Sequence, residues 1–322
     1  MREIDFNFES KYEVINQFPK NLNTKLYLWS PQDNQSANDI VIMVNGFLDG
    51  TLGERGNRRA WEKYFYKFIG EELSRQNIAS ILLPLPFHFG RGDDINDFSE
   101  RRFAPLERLK ENGAYLYYGG YDQAKEDIKK LITEIKNNRS KFGLTNSDIK
   151  IHLLGYSLGG AAVMGAASEL KDMVSSLTVL FSSWKIADLD PNSLGNSFRI
   201  FGFNSEDWKT AINQLEKNKE SYDPVFRSIM WGDNSLTPWF ADSPSRILFI
   251  QALQDETFPV EMVYKNNLQF YNYIEKLKSE IQINKECAFI FSSMTHLHTN
   301  ISESAKRQIA GYIRSFVANP AI

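Results

Sequence analysis

The five residues Gly155-Tyr156-Ser157-Leu158-Gly159 carry the clearest chemical signal in the sequence. They form a Gly-x-Ser-x-Gly motif, in which a serine stands at a fixed distance from two glycines. A serine hydroxyl is a poor nucleophile unless it is exposed, presented to a base and placed beside hydrogen-bond donors that stabilise an oxyanion. The motif therefore predicts nucleophilic catalysis by Ser157.

The residues around the motif predict how Ser157 is presented. An apolar run of strand type, 149–154, precedes it, and a segment rich in small residues, typical of a helix, begins at Leu158. A sharp turn between strand and helix strains the backbone of the serine, and the flanking glycines avoid the resulting clash. The helix start also aims N–H groups at the reacting centre. A chance occurrence of the pentapeptide in a loop is the alternative, and this context argues against it.

On these features the chain resembles the α/β-hydrolase superfamily, over about residues 25–317. The resemblance implies an α/β fold: a mostly parallel central sheet flanked by helices, with a helical cap insertion. In this superfamily the acid of the catalytic triad follows a strand, as an Asp with a Pro a few residues later. Asp255 with Pro259 matches that pattern after the predicted strand 246–250, and Glu256 is the reserve candidate.

The resemblance also implies a catalytic histidine after the last predicted strand, 286–291. His296 stands five residues past the end of that strand, which is the spacing the family shows, and His298 is the alternative. The order Ser157, Asp255, His296 is the chain order of this superfamily. Each of the three follows a predicted strand, so we expect all three at one edge of a parallel sheet.

The predicted strand 40–44 is apolar throughout, as expected of a strand buried on both faces, and it leads into Asn45-Gly46-Phe47. The superfamily commonly has His-Gly-aromatic at this place. The resemblance implies that the backbone N–H groups of Phe47 and Leu158 form the oxyanion hole. Asn45 replaces the usual histidine, whose role is generally structural. An ordinary glycine turn is the alternative interpretation.

Two further segments could contact a substrate. The resemblance assigns 1–183 and 244–322 to the hydrolase core and 184–243 to a cap. The cap segment is rich in aromatic side chains, Trp231 among them. These side chains either line an acyl pocket or form the core of the cap itself. In the long connection after Pro86, the cationic side chains could meet an anionic substrate group or could simply be solvated. They are His88, Arg91, Arg101 and Arg102.

The composition excludes several classes of protein. A net charge of −3 provides no basic field for nucleic acid, and the single Cys287, expected to be a buried inert thiol, excludes an intrachain disulfide. No apolar run approaches the roughly 18 residues of a membrane helix, and no signal-peptide pattern is present, so we expect a cytoplasmic protein. No metal-binding motif is seen, and we expect neither metal nor cofactor. His152, inside the predicted strand before Ser157, is interpreted as a core residue.

The sequence therefore predicts a serine hydrolase that cleaves a carboxylic ester or thioester through an acyl-enzyme. Its expected partner is a small-molecule substrate with an apolar part. Two alternatives stay open: an acyltransferase on the same scaffold, in which an alcohol or amine replaces water, and a binding protein that retains the fold without catalysis. The oligomeric state is not predicted.

Overall fold

The computed structural model describes the chain in segments, with single gaps and longer ones between them. The described residues are 1–17, 19–31, 37–46, 58–86, 91, 114–180, 185–188, 205–233, 236–242, 244, 246–254, 260–281, 286–295 and 302–318.

Eight strands in the described part of the chain form one sheet, in the order β1-β2-β4-β3-β5-β6-β7-β8. The pairs β1–β2 and β2–β4 are antiparallel, and every pair from β4 to β8 is parallel. The strands are β1 (Arg2–Asn7), β2 (Asn23–Trp29), β3 (Asp39–Val44), β4 (Ile78–Leu83), β5 (Lys150–Tyr156), β6 (Ser176–Leu180), β7 (Arg246–Gln254) and β8 (Glu286–Thr295).

Helices connect and cover these strands. They are α1 (Glu13–Asn16), α2 (Pro19–Leu22), α3 (Arg58–Ser74), α4 (Ala114–Asn137), α5 (Leu158–Leu170), α6 (Ser205–Lys217), α7 (Pro224–Trp231), α8 (Leu236–Asp242), α9 (Val260–Ile281) and α10 (Glu303–Ala318). None of the helices in the described segments is long and apolar enough to cross a membrane.

The sheet separates two hydrophobic cores, and alternate residues of each central strand face one or the other. In β3, Ile40 and Ile42 contribute to the core beneath α4, α5, α7, α8 and α9. Val41 and Met43 contribute to the core beneath α3 and α10. This arrangement explains the continuous apolar run of β3, because a strand covered on both faces has no polar side. The predicted fold class, a mostly parallel sheet flanked by helices, is confirmed.

Several predicted boundaries were wrong. The connection after Pro86 was predicted to be polar loop as far as Gly120, but α4 begins at Ala114. The glycine pair Gly119-Gly120 misled the prediction, since glycine usually weakens a helix. In the structure both glycines lie within α4, and the ring of Tyr12 packs beside Gly119.

The last two parallel strands are longer than predicted. Strand β7 continues to Gln254 and β8 to Thr295, four residues beyond each predicted end. The spacing of five residues between the last strand and His296 is therefore wrong, because β8 ends immediately before that residue. Cys287 lies in β8 and is half-buried, not fully buried as the sequence predicted. The reason is that β8 is the last strand at one end of the described sheet.

The described helices of the predicted cap segment, α6, α7 and α8, pack against the helical layer. Helix α6 contacts α4, α7 contacts α5, and α8 contacts both α5 and α9. Phe226, Trp239 and Phe240 are buried in the core that these helices share with the sheet, and the indole N–H of Trp239 donates a hydrogen bond to the carbonyl of Met164 in α5, at 2.7 Å. Residues 189–204 of the segment lie outside the described ranges, so the division into core and cap stays a prediction.

Candidate active site

Ser157 occupies the turn between β5 and α5, with a strained backbone. Its φ of 51° and ψ of −118° lie outside the regions that residues with a side chain normally adopt. Backbone hydrogen bonds hold this conformation: the Ser157 N–H donates to the Leu180 carbonyl at 3.0 Å, and its own carbonyl accepts from Gly160 N–H at 2.8 Å. The side chain is half-buried. The sequence prediction of a strained strand–helix turn at this serine is thus matched by the geometry.

The two glycines of the motif are required by close backbone contacts. A Cβ added to Gly155 would lie 2.2 Å from the carbonyl oxygen of Gly159. A Cβ added to Gly159 would lie 2.4 Å from the carbonyl oxygen of Asn45 and 2.5 Å from that of Val44. Gly155 therefore closes the turn itself, whereas Gly159 lets the end of β3 approach α5. This second contact brings Asn45, at the exit of β3, against the start of α5.

The exit of β3 is held by three polar contacts. The Asn45 side chain is fully buried; its amide group donates to the Gly46 carbonyl at 2.8 Å, and its amide oxygen accepts from the Leu85 N–H at 2.7 Å. The Gly46 N–H in turn donates to the hydroxyl of Tyr66 in α3, at 3.3 Å. Asn45 therefore connects the ends of β3 and β4, which is a structural role of the kind expected for the residue at position 45.

Leu158, the other predicted oxyanion residue, is the first residue of α5. Amides in the first turn of a helix have no intrahelical acceptor and lie at the positive end of the helix dipole. The position of Leu158 next to Ser157 is therefore suitable for stabilising negative charge. Phe47, the partner donor in the prediction, lies outside the described residues.

The remaining predicted triad residues, Asp255 and His296, also lie outside the described residues, as do Glu256 and His298. The strands that precede them are described to their ends. Strand β7 ends at Gln254 and β8 at Thr295, and these two residues are register partners in the parallel β7–β8 pair. Ser157, too, follows the last residue of its strand, β5.

Arg91 is not solvated, which was one of the two possibilities considered from the sequence; the other, contact with a substrate, stays a prediction. Its side chain is fully buried, and one guanidinium nitrogen donates to the Asp127 carboxylate at 2.7 Å and to the Pro84 carbonyl at 2.9 Å. The guanidinium also lies 4.9 Å from the centre of the Phe8 ring. Burial raises the pKa of Asp127, although the neighbouring Arg91 charge acts in the opposite direction. These contacts give Arg91 a structural role between α4 and the end of β4. His88, Arg101 and Arg102 lie outside the described residues.

Trp231 belongs to an aromatic cluster between α4 and α7. Its ring is nearly parallel to that of Tyr222, with 6.3 Å between the centroids, and the Lys219 ammonium lies 5.1 Å from its centre. Phe226 connects this pair to the rings of Tyr118 and Tyr121 in α4. Trp231 is half-buried, and its described contacts are with this cluster.

His152 is a core histidine, as the sequence predicted. It is 3% exposed, and its two ring nitrogens lie 2.7 Å from the Ser176 hydroxyl and 3.0 Å from an Asp39 carboxylate oxygen. Asp39 and Ser176 begin their strands, so this contact lies at the sheet edge opposite to Ser157. The described residues contain no group of three or more His, Cys, Asp or Glu side chains that could hold a metal ion.

Tyr66 is a residue of the site that the sequence did not indicate. Apolar residues at helical spacing predict an amphipathic helix over 58–76, and Tyr66 is not one of those residues. It is nevertheless 1% exposed and contacts Gly46. A tyrosine beside several other aromatic residues on one helix gives no signal that distinguishes its hydroxyl.

Solved structures reproduce the whole architecture at low sequence identity. Est1E from Butyrivibrio proteoclasticus matches with a TM-score of 0.52 at 14% identity, covering 99% of this chain and 100% of that one. The fold is that of the α/β-hydrolases. Esterase Est22 matches with a TM-score of 0.58 at 14% identity, over 99% of this chain and 80% of that one. The S-formylglutathione hydrolase FrmB from Staphylococcus aureus matches with a TM-score of 0.54 at 15% identity, over 97% and 98%.

The resemblance to the α/β-hydrolase superfamily is thus confirmed at the level of the fold. At such identities the likeness extends to the fold alone. No protein-family model and no curated protein sequence matches the chain. The α/β-hydrolase fold places the turn at Ser157 at the carboxyl edge of the parallel strands, where open α/β sheets bind ligands.

Proposed function

We propose that this protein is a serine hydrolase that cleaves a carboxylic ester or a thioester through an acyl-enzyme on Ser157. The observation that carries the proposal is the strained backbone of Ser157 at the strand–helix turn of an α/β-hydrolase fold. Such strain costs about 1–3 kcal/mol, and it is typically retained where it serves function. The close contacts of Gly155 and Gly159 support the same interpretation, because the first glycine is needed to close this turn and the second to let the end of β3 approach it.

In the proposed reaction the hydroxyl oxygen of Ser157 attacks the substrate carbonyl while His296 removes the hydroxyl proton. Asp255 holds the imidazole in the required tautomer, and the N–H groups of Phe47 and Leu158 stabilise the oxyanion. The proton passes to the leaving alcohol or thiol, which departs and leaves an acyl-enzyme. A water molecule, activated by the same histidine, then releases the carboxylic acid and restores Ser157.

The pairing of β7 with β8 supports the choice of acid and base. Because Gln254 and Thr295 are register partners, the residues that follow them leave neighbouring strands at matching positions. Neighbouring strands lie about 4.8 Å apart, a separation that a hydrogen bond between an Asp and a His side chain can span. The structural neighbours are consistent with the substrate class, since they include esterase Est22, the S-formylglutathione hydrolase FrmB, and Est1E with ferulic acid bound.

The proposal is tested with a fluorophosphonate probe, which reacts with activated serines. We expect stoichiometric labelling of the wild type, detected by intact mass, and none of the Ser157→Ala variant. Ester hydrolysis by Ser157→Ala should fall by about 10³-fold or more in kcat. A matched control is Ser168→Ala, which changes a serine of the same helix whose hydroxyl donates to the Gly165 carbonyl at 2.8 Å. Labelling that persists in Ser157→Ala, or that is lost in Ser168→Ala, would contradict the assignment.

A further inference from the structure

Gly46 lies beside the nucleophile turn and is held on both sides of its backbone. Its neighbour Asn45 places a carbonyl oxygen 2.4 Å from the position of a Cβ on Gly159, so the exit of β3 is packed directly against the start of α5. Glycine has the largest backbone freedom of any residue. A glycine at this point needs external contacts if the peptide that follows it is to keep one orientation.

Asn45 supplies the first contact. The Leu85 N–H can only donate, so the atom of the Asn45 amide that faces it is the oxygen. The Gly46 carbonyl can only accept, so the atom that faces it is the amide nitrogen. The side chain is fully buried, where an unmade hydrogen bond is expensive. The amide is therefore locked between β3 and β4 and holds the Gly46 carbonyl in one direction.

Tyr66 supplies the second contact. It is 1% exposed, and its hydroxyl accepts the Gly46 N–H at 3.3 Å. Its ring packs edge-to-face on Phe65, with 5.4 Å between the centroids, and this contact orients the ring independently of the hydroxyl. Gly46 is thus bound through its N–H to α3 and through its C=O to Asn45.

We propose that Asn45 and Tyr66 are positioning residues for the oxyanion hole, an inference that rests on the proposed function. In a planar trans peptide the N–H points opposite to the C=O. The carbonyl of Gly46 belongs to the same peptide as the N–H of residue 47, which is the proposed oxyanion donor. Fixing that carbonyl therefore aims the donor. An oxyanion donor is effective only when it is already set about 2.7–3.1 Å from the position the oxyanion will take.

The test compares Tyr66→Phe with Asn45→Asp. Tyr66→Phe removes the hydroxyl that accepts the Gly46 N–H and keeps the ring. Asn45→Asp keeps the acceptor for the Leu85 N–H and replaces the donor to the Gly46 carbonyl. We expect kcat to fall by about 10-fold for Tyr66→Phe and about 10²-fold for Asn45→Asp, since loss of a whole oxyanion donor costs about 10²–10³. KM should stay within about twofold, because the ground-state carbonyl needs little of this stabilisation.

Two readouts separate positioning from a purely structural role. Affinity for a trifluoromethyl ketone, which forms a tetrahedral oxyanion on the serine, should fall in parallel with kcat/KM. The rate of fluorophosphonate labelling should fall too, and this readout needs no knowledge of the natural substrate. The matched control is Tyr12→Phe, which removes another buried tyrosine hydroxyl, one that donates to Asp122 at 2.6 Å. It should lower the melting temperature and leave kcat and the labelling rate unchanged.

The outcomes distinguish this inference from the proposed function. Activity that survives in Ser157→Ala overturns the proposed function and the positioning role with it. If Ser157 is labelled and Ser157→Ala is inactive, wild-type kcat and ketone affinity in a folded Tyr66→Phe variant overturn the positioning role alone. If Asn45→Asp does not fold, Tyr66→Phe decides the question by itself. An equal loss of kcat in Tyr12→Phe would also overturn it, because the effect would then follow from lost stability.

Discussion

At the scale of single residues, Gly159 makes a direct prediction about the nucleophile turn. In Gly159→Ala the new methyl group would overlap two backbone carbonyl oxygens, those of Asn45 and Val44, and neither can move without displacing β3. We expect the free energy of unfolding to drop by about 1–3 kcal/mol, the usual result of overpacking. Activity should drop by about 10²-fold, because a displacement near 1 Å at the reacting groups has that effect. Thermal unfolding and kcat measure the two losses.

Two other glycines serve as controls for the same substitution. Gly120 in α4 and Gly311 in α10 have no atom within 4 Å of the position of an added Cβ. Alanine at either position should raise stability by about 0.5–1 kcal/mol, because it favours the helix and restricts the unfolded chain. Kinetic constants should stay at wild-type values. A destabilised Gly120→Ala variant, or a Gly159→Ala variant as stable as the wild type, would contradict the described packing.

The acid and base assignments form a second prediction at this scale. Asp255→Asn and His296→Ala should each lower kcat by about 10³–10⁴-fold, as triad substitutions do. Their neighbours provide matched variants, Glu256→Gln and His298→Ala, for which kcat should change little. Strand spacing is the reason to test His298 as well: β5 and β8 are three spacings apart, about 14 Å, and His298 stands two residues further from the end of β8 than His296 does. An inactive His298→Ala beside an active His296→Ala would reverse the assignment.

Whether the sequence predicts the role of a residue depends on whether its contacts are local or distant in the chain. Ser157 and its glycines were predictable because backbone sterics within five residues dictate their types. Arg91 was not, because its partners Asp127 and Phe8 are 36 and 83 positions away in the chain. A charged residue in a polar stretch looks the same whether it is solvated or buried in an ion pair, and only tertiary contacts distinguish these states.

At the scale of secondary-structure elements, a buried lysine joins three helices of the layer on one face of the sheet. Lys125 in α4 is 4% exposed; its ammonium lies 2.8 Å from Asp223, the N-cap of α7, and 2.6 Å from Glu169 in α5. Gly165 of α5 makes room for it, since a Cβ there would lie 2.6 Å from the lysine side chain. Burial lowers the pKa of Lys125, but Asp223 and Glu169 raise it by more, and the net shift is upward.

Lys125→Met should destabilise the protein by about 3 kcal/mol, because it leaves the Asp223 carboxylate, which is only 14% exposed, without its cation. Loss of the contact with Glu169 contributes less to this destabilisation, since that side chain is 36% exposed and is also bound by Lys129. Urea unfolding measures the loss. The control Lys67→Met removes an exposed i,i+4 pair with Glu71 and should change stability by less than about 0.5 kcal/mol. Equal effects in the two variants would contradict the structural role of Lys125.

The same cluster predicts a change in acid stability. Burial raises the pKa of Glu169, but hydrogen bonds from Lys125 and Lys129 outweigh it, so the folded-state pKa is lower than the ordinary 4.5. A carboxyl with a lowered pKa contributes stability above its unfolded value, and the contribution disappears as the pH falls through the folded value. Wild-type stability should therefore decline as the pH falls below 4.5, and Lys125→Met should decline less steeply. Parallel curves of unfolding free energy against pH would contradict this account.

The elements themselves were predictable where apolar periodicity was strong. Strand β3 and helix α10 were placed within two residues of their observed bounds because each has a buried pattern along its whole length. Helix α7 was missed: Pro224 was interpreted as an interruption, but it occupies the first turn of the helix, where Asp223 caps the N-terminus by accepting from Val225 N–H. A proline begins a helix as readily as it ends one, and the capping contact decides which.

At the scale of the whole molecule, the parallel strands from β4 to β8 determine where the proposed chemistry can occur. The resemblance to the α/β-hydrolase superfamily implied a mostly parallel sheet, which agrees with the alternation of strands and helices, since such connections return each strand in the same direction. It did not predict β1, which pairs antiparallel with β2 at the other end of the sheet. The first 24 residues have no clear periodicity, and β1 is stabilised by this pairing and by burial of Ile4 and Phe6.

The packing of the whole helical layer leads to a last prediction, about the substrate. Phe226, Trp239 and Phe240 belong to the core, so they are not free to line an acyl pocket. Trp208, Tyr222 and Trp231 are the half-buried aromatic residues described in 184–243, and of these we propose that Trp231 contacts the acyl chain. We expect kcat/KM for neutral esters to rise by about fourfold for each buried methylene, equivalent to about 0.8 kcal/mol, until the pocket is full.

A panel of linear acyl esters from acetate upward, measured beside an anionic ester series, tests this expectation. Trp231→Ala should reduce the gain per methylene while leaving acetate hydrolysis nearly unchanged, because the shortest acyl group does not reach the aromatic cluster. Phe240→Leu is the matched control: it alters a fully buried aromatic residue, and should lower stability without changing the dependence on chain length. A flat neutral series with a strong anionic preference would contradict the apolar pocket. Since Arg91 is engaged by Asp127, that preference would point to His88, Arg101 or Arg102.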